Sequence, residues 1–279
     1  MKKTVYIIPA IAFILFVAAG IKIFRGGFSD GNEPGVLILH NPVLRGSHPG
    51  VLEAYEKALA DEGLAHKSIT PSFILSRTFE ELLETNPVII IPDSIAQVLP
   101  DDAGLWFINY LAGGGNLMVV YDAGIKNRQG AYLHKAMFSE FTGFNYIYYD
   151  KFRESAYTRG YMQFKNTESA EFFGIPGEFL DAGNFLYGRS DGNLEMIESP
   201  MARLEIPGGI REEDIYMYGV TAGGEKYPAV VSARYGKGKV LYVNFPLGYL
   251  SVYVNELPLR AVLETFLSKM AEAPQPGIE

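Results

Sequence analysis

Apolar runs of about five residues, each closed by turn residues, recur along the first half of the chain. They are "GVLILH" (35–40), "PVIIIPD" (87–93) and "NLMVVYDAG" (116–124), with "LAHKSIT" (64–70) as a further strand candidate. Short apolar runs bounded in this way predict strands buried on both faces. Helical patterns fill the gaps between them. Residues 49–63 place Leu52, Tyr55, Ala58 and Leu59 on one face and stop at Gly63. Residues 76–85 offer Thr78 as a cap with Glu81 three positions on, a capping box. Residues 99–115 begin with acids and end in glycines. Strict alternation of buried strand and helix predicts an α/β fold: a doubly wound, mostly parallel, flavodoxin-like sheet with helices on both faces.

Beyond residue 130 the pattern loosens. Residues 131–143 read as a helix, and 144–215 as an irregular, Tyr-rich α+β excursion. Residues 144–164 mix tyrosines with Arg153 and Arg159, a composition that suits sugar faces, protein interfaces or a packed strand pair. Order returns at 228–248, where two apolar strands flank Gly236-Lys237-Gly238 as a hairpin. Residues 256–272 predict a closing amphipathic helix, and 273–279 a disordered tail.

The start of the chain follows a different rule. Lys2 and Lys3 precede an apolar run from Val5 that continues around Lys22 to Phe24. Twenty helical residues at ~1.5 Å each span about 30 Å, the thickness of a bilayer core. Residues 1–25 therefore predict an N-terminal transmembrane helix. A cleaved signal peptide and a buried helix are the competing readings. A Gly/Asp/Asn/Pro linker (26–35) then leads into a domain at 36–272. With the N-terminus inside, the protein is expected at the cell membrane, single-pass, with its domain on the extracytoplasmic side.

Charge and composition narrow the chemistry. The formal net charge is -8, and Lys2, Lys3, Lys22 and Arg25 all lie in the first 25 residues. The rest is more acidic still, a poor match for nucleic acid or for anionic lipid. The chain has no cysteine, which removes disulfides, Cys-based metal sites and any thiol nucleophile.

Ligands on parallel sheets bind at the carboxyl ends of the strands. Those ends carry His40-Asn41-Pro42, Pro92-Asp93 and Asp122-Ala123-Gly124. The loop "HNPVLRGSHPG" (40–50) adds Arg45, Ser47 and His48. Ser47 is placed to cap a helix starting near Pro49, leaving free N–H groups for an anion beside Arg45. An anion or sugar site, a metal held by the histidines with Asp93 or Asp122, and a purely structural loop all stay open. Asp93 and Asp122 have a further local reading as caps of the turns that follow them. The candidate ligand-binding set is His40, Arg45, Ser47, His48, Asp93 and Asp122, expected around one cleft. No catalytic residue, metal or cofactor is assigned.

"PVIIIPDSIAQVLPDDAGLWFINYLAGGGNLMVVYDAG" resembles the core of the class I glutamine amidotransferase-like superfamily. "YGKGKVLYVNFPLG" resembles the late hairpin of its non-amidotransferase branches, the β-galactosidase trimerisation and trehalose-utilisation-like domains. The resemblance covers about 36–124 and 228–270. It implies a Cys on a strand-to-helix elbow with a late His and Glu. Here there is no Cys, and His40, His48, His66 and His134 all lie in the first half. The implied triad is absent, and glutaminase chemistry with it. Two expectations follow. One is a non-catalytic extracytoplasmic binding or assembly module with a polysaccharide or envelope-protein partner. The other is a carbohydrate hydrolase using carboxylates and His from the strand ends.

Overall fold

The three apolar runs, the strand candidate at 64–70 and the strand that closes the late hairpin lie side by side and parallel. The computed structural model describes residues 35–142, 145–146, 160–164, 189–190, 193–194, 204–205, 214–221 and 226–253. The chain divides into two units, Met1–Pro34 and Gly35–Glu279. The first unit, with the predicted anchor and nearly all of the linker, lies outside the described residues, as do the predicted helix 256–272 and the tail. Among the described residues no helix is long and apolar enough to cross a membrane.

Eight strands form the main sheet: β1 (Val36–Leu39), β2 (His66–Ile69), β3 (Val88–Ile91), β4 (Asn116–Val120), β5 (Gly160–Phe164), β6 (Ile215–Thr221), β7 (Lys226–Tyr235) and β8 (Gly238–Val243). Their order is β2-β1-β3-β4-β8-β7-β6-β5. The first five are parallel: β1 with β2 and β3, β3 with β4, and β4 with β8. The last three join antiparallel. The fold is thus α/β with a parallel core, as expected. The predicted irregular excursion is corrected in part: β5 and the start of β6 extend the sheet instead of standing apart from it. Two-residue pairs, Asn145–Tyr146 with Leu204–Glu205 and Arg189–Ser190 with Asn193–Leu194, lie outside it.

Helices α1 (Pro42–Ser47), α2 (Val51–Asp61), α3 (Pro71–Leu75), α4 (Phe79–Thr85), α5 (Ala103–Gly113), α6 (Ser139–Thr142) and α7 (Leu247–Tyr253) complete the described elements. Alternate strand residues point to opposite faces. Leu37, Leu39, Ile89, Ile91, Leu117 and Val119 gather with Leu82 of α4 and Phe107, Tyr110 and Leu111 of α5. The intervening Val36, Ile38, Val88, Ile90, Met118 and Val120 are equally buried. Helices α2 and α7 pack together. Burial on both faces is why these strands read as continuous apolar runs.

Local signals mark several boundaries well. Thr78 Oγ1 accepts from Glu81 N at 3.3 Å, and Glu81 Oε2 accepts from Thr78 N at 3.2 Å, completing the predicted capping box. Gly236 turns the hairpin with φ +59, where a Cβ would stand 2.6 Å from Ala112 Cα. One boundary differs. The helix predicted over 131–143 reduces to α6, because residues 125–133 are tied elsewhere. Leu133 N donates to Ile125 O, and Lys126 bridges to both Val98 and Tyr132.

Candidate functional site

Asp93 and Asp122 follow β3 and β4 at the carboxyl edge, and both are buried: Asp93 is 0% exposed and Asp122 6%. Every oxygen of the pair is engaged. Asp93 Oδ1 accepts from Tyr55 Oη at 3.0 Å and from Gly248 N at 2.8 Å. Its Oδ2 accepts from Tyr249 N at 2.9 Å and Ser94 Oγ at 3.3 Å. Gly248 and Tyr249 lie in the first turn of α7, whose N–H groups have no intrahelical acceptor. Asp93 supplies one from 155 residues away, with a charge that complements the helix dipole. Gly248 allows the approach: a Cβ there would stand 2.8 Å from Asp93 Oδ1 and 2.5 Å from the Tyr55 ring.

Asp122 Oδ1 accepts from Ser94 N at 2.8 Å, and its Oδ2 from Gln97 Nε2. Gln97 Oε1 in turn accepts from Lys126 Nζ at 2.8 Å. The local readings of both aspartates are therefore corrected. Neither caps its own turn. Asp93 caps a distant helix, and Asp122 pins the loop after the neighbouring strand.

Burial sets the electrostatics. It raises the Asp93 carboxyl, which the N–H groups of Tyr249 and Gly248 pull partly back. Burial, with the adjacent Asp93 charge, pushes Asp122 up to about 7. The Tyr55 hydroxyl, raised well above its ordinary value by burial and by Asp93, stays protonated to donate.

Two residues beside this pair hold strained backbone. Ser94 has φ +65 and Tyr121 φ +48, the left-handed region that non-Gly residues seldom occupy. Tyr121 follows β4 directly, so the elbow at the end of this strand carries a tyrosine and Asp122 stands one residue beyond it. Strand β8 fixes the elbow from both sides. Tyr121 N donates to Val243 O at 2.7 Å, and Tyr242 Oη donates to Tyr121 O at 3.1 Å. Such strain persists where surrounding bonds over-determine it.

Of the six predicted residues, Asp93 and Asp122 lie together. Ser94 joins Asp93 and Asp122, and among the described contacts no hydrogen bond links the other four to that pair. His40 is buried, its Nδ1 has no hydrogen-bond partner, and burial and Arg45 lower its pKa. Arg45 pairs with Glu53 at 2.8 Å, both about half exposed. Ser47 is the exposed last residue of α1 and caps nothing. Helix α2 starts at Val51 with Gly50 as its cap, and Glu53 Oε2 accepts from Gly50 N at 3.1 Å. Glu53 thus takes the place expected for a bound anion. His48 ends the α1 turn through N–H bonds to Leu44 O and Arg45 O. Among the described residues no group of three or more His, Asp or Glu converges on a metal position.

Open space lies on the same edge among the described residues. A cleft of about 570 Å³ is walled by Asn41 after β1, Thr70 and Ser72 after β2, Leu75 of α3, Leu99 after β3, and Arg128. It straddles β1, where the sheet order reverses between β2 and β3, the usual ligand position on such sheets. None of the six predicted residues lines it. Sequence reasoning missed Arg128, although "NRQG" (127–130) is a turn signal shortly after a strand end.

No family model matches this chain, and neither does any curated protein. Solved structures do share its fold. The β-galactosidase from Bacillus circulans sp. alkalophilus aligns at TM-score 0.55 and 12% identity, over 88% of this chain and 32% of that one. The β-galactosidase from Rahnella sp. R3 aligns at 0.54 and 14%, over 87% and 32%. Cytoplasmic protein STM1381 from Salmonella typhimurium LT2 aligns at 0.51 and 12%, over 84% and 98%. The likeness is one of fold. The chain spans about a third of each β-galactosidase.

Proposed function

We propose that this chain is a non-catalytic binding or assembly module in envelope polysaccharide handling, held to the membrane by residues 5–24 with its domain outside. The observation that carries the non-catalytic reading is the engagement of the strand-end carboxylates. A glycosidase needs one carboxyl to give a proton and another to attack or to activate water, both facing the scissile bond. Asp93 and Asp122 face protein donors instead. The elbow tyrosine and the absence of cysteine support the same reading. Carbohydrate is supported by fold neighbours that are β-galactosidases, and the anchor by the apolar run.

A hydrolase acting on carbohydrate is the second reading. It is favoured by the Asp122 carboxyl, which burial brings to about 7, where general acids and bases work best.

A panel of bacterial polysaccharides and defined oligosaccharides, incubated with the full chain, separates the two. Binding without new reducing ends is expected. Reducing ends that appear with the parent and vanish with Asp122→Asn would establish the hydrolase. For the topology, protease added outside intact cells is expected to digest the domain. Digestion only after permeabilisation would overturn that orientation.

A further inference from the structure

Resting on that reading, we infer that the cleft at the β1–β3 edge is a subsite for an acidic saccharide, with Arg128 gripping a uronate carboxylate. The lining fits that class better than its alternatives. Asn41, Thr70 and Ser72 offer uncharged hydrogen-bonding groups, and Leu75 and Leu99 offer apolar surface for the C–H face of a ring. Arg128 is the cation among the lining residues, and no carboxylate lines the cleft. One guanidinium suits one carboxylate, which it can hold through two parallel N–H bonds. A phosphate or polyphosphate would call for more donors than this wall carries.

The polar groups are available. Asn41 uses Oδ1 to accept from Val43 N, which leaves its Nδ2 as a donor. The Thr70 hydroxyl makes no bond to the helix it precedes. Arg128 meets Asp102 at 3.1 Å, but the two side chains are 59% and 63% exposed. An ion pair so exposed is weak and easily exchanged.

The wall is also preorganised. Asn127 Oδ1 accepts from Gln129 N and Ala131 N, both at 3.0 Å, and Asn127 N donates to Ala131 O at 2.9 Å. That turn carries Arg128. Its base is fixed by Lys126 N donating to Gln97 O, and by the chain from Lys126 through Gln97 to the buried Asp122. Asp122 thereby helps to position the turn that carries Arg128, acting through Gln97 and Lys126.

Calorimetric titration of the full chain tests this with three probes: oligogalacturonate, its neutral galactose counterpart, and citrate. Oligogalacturonate should bind, with tenfold or greater loss in Arg128→Ala and partial recovery in Arg128→Lys. Thr70→Val, which removes a hydroxyl and no cap bond, should weaken it several-fold at unchanged melting temperature. Equal binding of the neutral oligomer, indifferent to Arg128→Ala, would overturn the acidic assignment and leave the carbohydrate reading standing. Citrate binding as tightly as the saccharide, with Thr70→Val silent, would overturn the saccharide assignment. No binding of any probe would overturn it as well.

Discussion

Asp122 couples this fold to pH. Its carboxyl rises from an ordinary value of 3.8 to about 7 in the folded chain, chiefly by burial. The folded state therefore takes up a proton at a pH where the unfolded chain has lost its own. The resulting stability is complete below about pH 4 and declines as pH rises through about 7. The loss across that window is on the order of a few kcal/mol. Chemical denaturation at intervals from pH 4 to 8 should show it, and Asp122→Asn should flatten the profile. A profile that the substitution leaves unchanged would mean that Asp122 is already ionised throughout. The sequence shows this aspartate at a strand end but not what it touches. Ser94 and Gln97 lie 28 and 25 residues away, and chemistry at that separation leaves no local pattern. Arg45 and Ser47 mislead for the opposite reason. Their spacing resembles an anion site, yet Glu53, eight residues after Arg45, serves both Arg45 and Gly50 N.

At the scale of elements, what could be read from the chain depended on where the stabilising bonds close. The box at Thr78 and Glu81 closes within four residues and was legible. The hairpin at Gly236-Lys237 was legible too, because a glycine between two apolar runs is enough to specify it. Helix α7 was not. It exists through the Asp93 carboxylate at its start and α2 beside it. Residues 131–138 fail in the other direction. Their composition favours a helix, but the Asn127 turn and the bonds from Leu133 to Ile125 and from Met137 to Gly124 draw them onto the loop edge. The cleft went unseen for the same reason: Thr70, Leu99 and Arg128 meet only when three separate loops close together.

Across the whole molecule, the parallel core follows from alternation of strand and helix, and the order β2-β1-β3-β4 puts the reversal of the sheet at β1. The return of the late strand β8 beside β4 gives the sheet its fifth parallel member. That return also brings α7 over the carboxyl edge, where Asp93 ties it to the loop after β3. This carboxylate acts as a structural tie, and the proposed binding lies in the neighbouring cleft. Asp93→Asn tests it most directly, with unfolding free energy and glycan affinity measured on the same preparation. An amide sets an N–H group against the Gly248 or Tyr249 donor, so a loss of about 2–4 kcal/mol is expected. Glycan affinity should stay within about twofold, since no bond runs from Asp93 to the cleft wall. Stability held within about 0.5 kcal/mol of the parent, together with lost binding or lost turnover, would contradict the account.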